Sequence, residues 1–403
     1  MIATHPIQYQ VPLWRALAQI PGVQLRVLYA SDCSVRGYHD VEFNTQVQWD
    51  VPLVEGYPHK FLGNSDKNFT AVNVDRARQL HLHLREFKPD ICLLNAYLPI
   101  FWLEALAIVR SLRLPVLLRA ETSDIALRRS LVKNAIRNCC LRLFYSQCSQ
   151  LLAIGKNSLE HYTAHGVPPQ KISMSPYCVD TNFISEQYHK YVPQRKILRQ
   201  ELGFCDAHIV FIYSGKFIPK KNPLLITESL RNMPESVRNK VCLIAMGDGE
   251  LKDVFENQCR ALLGDRCVML GFVNQRFIGR YYAAADGLLL PSSWGETWGL
   301  VVNEALQFGV PVIVSDRVGC CNDLVERGKT GFAFPTDDAK ALLSAMLEFV
   351  EWKDSRQQDE IAELCKRRVA NYTIESAARG IYLAMGKVLG DSVTARIPKK
   401  WQA

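Results

Sequence analysis

Long apolar runs are missing from this chain. No stretch among its 403 residues approaches the ~18 consecutive apolar residues that a membrane-spanning helix needs. No charged segment followed by an apolar one opens it, so no secretory leader is read and a cytoplasmic protein is expected. Metal-ligand spacing is missing too. Thirteen cysteines are present, but no Cys-x2-Cys pairs with a second one or with spaced histidines, which argues against a zinc site. An odd count without an export signal favours free thiols, most of them serving as small core residues. Internal repeats, low-complexity runs and basic stripes interleaved with aromatics are absent as well. The net charge of +8 is therefore assigned to an anionic small ligand or an anionic membrane face rather than to nucleic acid.

What is present reads as a folded globular chain, with 48% hydrophobic and 22% charged residues and enough length for two domains. Its most informative stretch runs from Asp286 to Asp316. Leu288 to Leu290 are apolar and end at Pro291, as a buried strand would. A loop with Ser292, Ser293, Gly295 and Gly299 follows. Leu300, Val301, Ala305 and Leu306 recur at helical spacing, Gly309 stands at the helix stop, and Val312 to Val314 form the next strand. Such a β-α-β unit binds ligands at the carboxyl ends of its strands. Glu296 lies in the loop and Glu304 in the helix, with seven residues between them. The N–H groups of Trp298, Gly299, Leu300 and Val301 belong to the helix N-terminus, a natural phosphate site. A carboxylate on each side of a phosphate site matches ribose, diphosphate and hexose in a row. Spacing alone equally allows a loop carboxylate stabilised by the helix dipole and a solvated helix position.

The run E-T-W-G-L-V-V-N-E resembles the E-x7-E motif of the family 4 retaining glycosyltransferases. Flanking matches are S-G-K-F-I-P-K-K-N-P at 214–223, M-G-D-G at 246–249, L-G-F-V at 270–273 and A-A-D at 284–286. The resemblance is strongest from Val210 to Phe334. It implies the α/β GT-B fold: two Rossmann-like α/β/α domains facing a cleft, with a C-terminal helix crossing back to the first. The domains are placed at 1–185 (acceptor side), 186–207 (linker), 208–372 (donor-binding) and 373–403 (crossover helix, Ile374 to Val388, and tail). Transfer of a hexose from a nucleotide sugar, UDP or GDP, to a glycan, lipid-linked or small-molecule acceptor is expected, with neither cofactor nor metal. Lys216 and Lys221 would neutralise the diphosphate. Lys216 stands where relatives usually carry Arg, and Lys220 is read as a solvated neighbour. Glu296 would hold the hexose and Glu304 the ribose. Gly215, Gly247 and the backbone at Val273 would border the nucleotide. Gly319 and Asp323 lie near the family's G-x-x-E/D turn.

The N-terminal half is less explicit. Met1 to Thr4 reads as a strand stub, so either the true start lies upstream or the edge of the sheet is short. The loop H-P-I-Q-Y-Q-V-P-L-W lacks the Gly-Gly pair of many relatives. His5 and Gln8 there either face the acceptor or cap a helix. Strands are expected at Val23 to Ala30, Ile91 to Asn95, Pro115 to Ala120, Leu151 to Ile154 and Ile172 to Pro176. Residues 31–75 are irregular, a variable insertion or an acceptor rim. Glu121 occupies a position where many relatives have His, and serves either the acceptor and sugar or a helix N-terminus. The basic amphipathic stretch Ile125 to Tyr145 is either an ordinary surface helix or one that lies on the inner face of an anionic membrane. Three other functions stay open: a glycoside hydrolase, a nucleotide-sugar epimerase, and a non-catalytic nucleotide-sugar-binding subunit.

Overall fold

The computed structural model describes residues 1–40, 45–63, 69–124 and 131–390. Among these residues the strands are β1 (Ile2–Ala3), β2 (Val27–Tyr29), β3 (Tyr38–Asp40), β4 (Thr45–Val47), β5 (His59–Phe61), β6 (Cys92–Leu94), β7 (Val116–Leu118), β8 (Gln150–Ala153), β9 (Ile172–Met174), β10 (Ile209–Ser214), β11 (Val241–Met246), β12 (Cys267–Gly271), β13 (Gly287–Leu290), β14 (Val312–Ser315) and β15 (Gly331–Phe334). Two parallel sheets result, ordered β5-β2-β1-β6-β7-β8-β9 and β12-β11-β10-β13-β14-β15, while β3 and β4 pair apart from them and antiparallel. Nearly every residue of β10, β11, β13 and β14 is buried, as expected where helices cover both faces of a parallel sheet. This is the two-domain α/β architecture, with two Rossmann-like parallel sheets, that the family resemblance implied.

Two expectations change in the structure. The stub β1 is not at an edge: Ile2 pairs with both Leu28 and Leu94, inside the first sheet. Residues 31–75 are not wholly irregular, since β5 pairs in parallel with β2 at the sheet's edge. Of the stretch 125–145, the helix Leu131–Ser146 is observed, and residues 125–130 lie outside the described residues. The thiol expectation agrees with the structure: all thirteen cysteines are unpaired, and only Cys139, Cys140 and Cys205 are exposed.

Two features join the halves. Residues 186–207 carry the end of helix Thr181–Tyr191 and the helix Arg195–Glu201, both packed on helix Gln275–Ala284. Arg195 and Arg199 there ion-pair with Asp286, the first residue of the motif stretch. Burial opposes that charge, yet the two arginines and Lys353 hold the Asp286 carboxyl below its usual range. The C-terminal helix Ile374–Leu389 starts where the Thr373 hydroxyl accepts the Ser376 N–H and crosses to the first domain, against helix Val11–Ala18. It buries Ile381 and Tyr382 there, each contributing roughly 1.5–3 kcal/mol.

Candidate active site

The carboxyl ends of β10, β11, β12 and β13 face the first domain across a cleft. After β10 the chain turns at Gly215-Lys216 and forms a short 3-10 turn, Pro219–Lys221. Gly247, after β11, has φ +133°, and a Cβ on it would lie 1.9 Å from the Gly215 carbonyl oxygen, so only glycine lets the two loops touch. The loop after β13 brings Glu296 to Lys221, and the two side chains form a half-buried ion pair. The Ser292 hydroxyl donates to the same carboxylate at 3.1 Å. Gly299, at φ +95°, then starts helix Leu300–Gln307, whose first amides, at Leu300 and Val301, have no carbonyl partner within their own helix.

Glu304 is only 2% exposed, which removes the solvated-helix alternative. Tyr282 Oη donates to its Oε2 at 3.0 Å, and Tyr9 Oη donates to Oε1 at 3.2 Å. Gln275 Nε2 stands 3.4 Å from Oε1 and 3.2 Å from Tyr9 Oη. Burial pushes the Glu304 carboxyl up to about 7, against the pull of the three donors. Lys216 Nζ meets Asp40 of the first domain at 3.0 Å. Lys220 is half-buried rather than solvated, and its carbonyl accepts the Ser293 N–H at 2.9 Å.

On the opposite wall, Glu121 follows β7. Its carboxylate accepts hydrogen bonds from the Tyr177 hydroxyl and, at 3.2 Å, from Thr297 Oγ1 of the second domain. Burial, reinforced by Glu121, raises Tyr177 well above the usual phenol range, so it stays a donor. A cavity of about 590 Å³ opens here, lined by His5, Tyr97, Glu121, Arg137, Gly295 and Thr297. Gln8 is elsewhere: with Tyr9 and Gln275 it borders a smaller cavity of about 240 Å³. The two residues expected to act together thus face different spaces.

Supports behind these walls explain their positions. Asp124 bonds His161 Nδ1 at 2.7 Å and Arg137 at 2.9 Å. Burial works against its charge, but His161 and Arg137 hold it at about 2. Tyr145 Oη lies 2.8 Å from His161 Nε2, and His165 bonds the His161 carbonyl and Asn138. Asp124, His161 and His165 lie close enough to hold a cation, but both nitrogens of each ring are engaged within the network, which fixes the 121–124 loop. Trp298 contributes only backbone to the cleft. Its ring packs on Tyr177 and Tyr372, and Nε1 donates to Asn303 Oδ1 at 2.8 Å. Asp323 ties the domains together, accepting the Lys156 N–H and the Tyr372 hydroxyl. Gly319 donates to the Glu296 carbonyl at 3.1 Å and accepts from Asn157 Nδ2 at 2.7 Å. A Cβ there would sit 1.9 Å from the Thr297 oxygen.

Val273 is half-buried in the loop after β12, where Trp49 meets Phe272 edge-on at 5.8 Å. Tyr9, Asp40, Gln275, Tyr282, Tyr177 and Thr297 were not foreseen as site residues. The Tyr in H-P-I-Q-Y-Q, one residue beyond Gln8 in a cleft loop, was the one available signal.

Residues 194–363 match the family model for "Glycosyl transferases group 1", and residues 13–183 match that for "Glycosyltransferase Family 4". A UDP-Gal:alpha-D-GlcNAc-diphosphoundecaprenol alpha-1,3-galactosyltransferase of Escherichia coli is 30% identical over 209 residues, 51% of each chain. A lipopolysaccharide 1,2-N-acetylglucosaminetransferase of Salmonella typhimurium is 27% identical, over 43% of this chain and 46% of its own. The chain spans about half the length of the curated relatives it matches. HepE of Anabaena, solved in complex with UDP, superposes with a TM-score of 0.68 at 17% identity, over 96% of this chain and 99% of its own. At that identity the likeness shows the fold.

Proposed function

The chain belongs to the family 4 glycosyltransferases, and from that premise we propose that it moves a hexose from a UDP- or GDP-sugar to a lipid-linked or other glycan acceptor, with retention of configuration. The observation that carries this reading is convergence. Lys221 pairs with Glu296 on the loops after β10 and β13, while Lys216 and Glu304 of the same domain each reach the first domain, at Asp40 and Tyr9, across a cleft whose other wall carries Glu121 and the larger cavity. The UDP bound to the Anabaena structure and the donor and acceptor in the E. coli relative's name support a uridine donor and a polyprenyl-diphosphate acceptor.

Glycosyl transfer builds negative charge on the departing nucleoside diphosphate. Lys216, Lys221 and the amides of Leu300 and Val301 offset it as donors fixed before reaction. That set serves in place of a metal. Glu296, steadied by Lys221 and Ser292, accepts the hexose hydroxyls, and Glu304 accepts the ribose diol. The acceptor hydroxyl enters from the cavity at Glu121 and attacks the anomeric carbon from the face the phosphate leaves. Its proton passes to the departing phosphate, and the new glycosidic bond keeps the anomeric configuration. Closure of the cleft excludes water and limits donor hydrolysis.

Among the described residues no helix is long and apolar enough to cross a membrane. Helix Leu131–Ser146 exposes Ile136 at 62% and Leu143 at 67%, beside exposed Lys133 and Arg142. That face supports peripheral docking on the anionic cytoplasmic leaflet, where a lipid-linked acceptor resides.

A thermal-shift screen with UDP-, GDP- and ADP-sugars identifies the donor. Transfer to a polyprenyl-diphosphate glycan is then compared for the wild type and Glu296→Gln. Wild-type turnover with near-complete loss in the folded variant supports the assignment, and unchanged turnover in the variant refutes it. Product from donor alone would indicate an epimerase or hydrolase, and nucleotide binding without turnover a non-catalytic subunit.

A further inference from the structure

Two contacts across the cleft end on residues assigned to the donor. Tyr9, from the first loop of the N-terminal domain, donates its hydroxyl to Glu304 at 3.2 Å. Asp40, at the end of β3, places its carboxylate 3.0 Å from Lys216 Nζ. The partners are 295 and 176 residues apart in sequence, so neither contact is a local accident of chain proximity. Around them, the 48–50 segment lies against the nucleotide-side loop. Asn274 Nδ2 donates to the Gln48 carbonyl at 3.3 Å, and the Arg276 N–H to Asp50 Oδ2 at 3.2 Å.

The chemistry of each contact is that of a donor fragment. A phenol hydroxyl on a carboxylate repeats what a ribose hydroxyl would do, and a carboxylate on an ammonium repeats a phosphate oxygen. We propose that Tyr9 and Asp40 are built-in surrogates of the donor: they occupy Glu304 and Lys216 across the cleft, and the nucleotide sugar binds by exchanging with them. The inference rests on the donor site assigned above. Burial gives it force. Glu304 is closed off from solvent, with Tyr282 on one oxygen and Tyr9 and Gln275 on the other, so a ribose diol must displace a donor, and Tyr9 is the one of the three carried by the opposing domain. Lys216 and Asp40 are likewise mostly shielded, so their pairing competes with a phosphate rather than dissolving into solvent. Donor binding is then coupled to the position of the N-terminal domain, and the observed affinity is lowered by the fraction of molecules held in the self-occupied state.

The test uses the whole chain and isothermal calorimetry. The tightest of UDP, GDP and ADP is titrated beside its 2′,3′-dideoxy analogue. Tyr9→Phe should tighten the ribonucleotide roughly three- to tenfold and leave the dideoxy analogue unchanged, because only a diol displaces the hydroxyl. Asp40→Asn should tighten both by a similar factor, since both carry the diphosphate. Asp50→Asn controls for general charge, because Asp50 bonds a backbone amide and not Lys216. Both surrogate variants should also melt lower when empty, having lost an interdomain tie. Unchanged or weaker nucleotide affinity together with lower melting would make the contacts purely structural and overturn the proposal. Equal tightening by Asp50→Asn would overturn the Asp40 half. A wild type that binds the ribo and dideoxy forms equally would instead refute the placement of ribose at Glu304, and the Tyr9 half with it.

Discussion

Replacing Glu304 by Gln should make the empty protein more stable and the donor site worse, and the pH dependence separates the two effects. The carboxyl is raised from an ordinary 4.5 to about 7, by burial first of all. At pH 4 it is neutral in both folded and unfolded chains. As pH rises from 4.5 to about 7, the unfolded chain loses its proton while the folded one keeps it, so this group's stabilising contribution drains away. Above 7 the folded protein holds a buried charge at a cost of roughly 3 kcal/mol, taking about 1.36 kcal/mol per tenfold change in proton affinity. Gln carries no such cost. Its amide accepts only on one side, so one of the bonds from Tyr9, Tyr282 or Gln275 weakens, costing about 1 kcal/mol. The net expectation is about 1–2 kcal/mol of added stability at pH 8 and little or none at pH 5. Urea melts of both proteins at the two pH values measure it, and calorimetry with the cognate nucleoside diphosphate should show at least tenfold weaker binding. Destabilisation of equal size at both pH values would refute the reasoning, because the carboxylate would then be worth more than its burial costs.

Other outcomes follow from the same geometry. Lys221→Ala should lower kcat/KM by about ten- to several-hundredfold, most of it in kcat, as loss of a charge-assisted bond of roughly 1.5–3 kcal/mol on a leaving group implies. Because Lys221 pairs with Glu296, the double change with Glu296→Gln should cost clearly less than the sum of the singles, and strict additivity in a kinetic cycle would contradict the pairing. Transferase activity should persist in excess EDTA; complete loss restored by Mg²⁺ would mean that the cationic side chains do not suffice. Binding to anionic vesicles should weaken sharply as salt rises, whereas equal partition to neutral and anionic vesicles would leave helix Leu131–Ser146 an ordinary surface helix.

The second domain was largely legible in the sequence because its central strands β10, β11, β13 and β14 are almost wholly buried and therefore nearly uniformly apolar, with glycines and prolines marking many of the turns. The E-x7-E stretch changes from apolar run to helical spacing within a few residues, and each part falls where expected. The first domain was harder. β5 is three residues long, His59–Phe61, with no apolar pattern to announce it, and β3 and β4 belong to neither main sheet. Side chains whose role depends on a distant partner carry no local signal. Tyr9 and Asp40 gain meaning only from Glu304 and Lys216, and the buried state of Glu304 depends on Tyr282 and Gln275 packing over it. Lys220, indistinguishable from Lys221 by type, differs only in where the 3-10 turn aims it. Gln8 and His5 are three residues apart, yet the turn between them sends them to different cavities.

Gly319 has a mechanical consequence. One face of this residue is pinned to the loop carrying Glu296, and its carbonyl is pinned to Asn157 in the other domain. It therefore works as a fulcrum. A rotation that opened the cleft would pull on the 296–298 loop through Gly319 as well as through the Thr297–Glu121 bond, and Gly319 is too crowded to give way, since the Thr297 oxygen leaves no room even for a methyl group. On the proposed donor site, parting the domains would draw the carboxylate assigned to the hexose out of register. Gaping and loosening of the sugar would then be one stroke, with a hexose gripped only while the walls that keep water away are together.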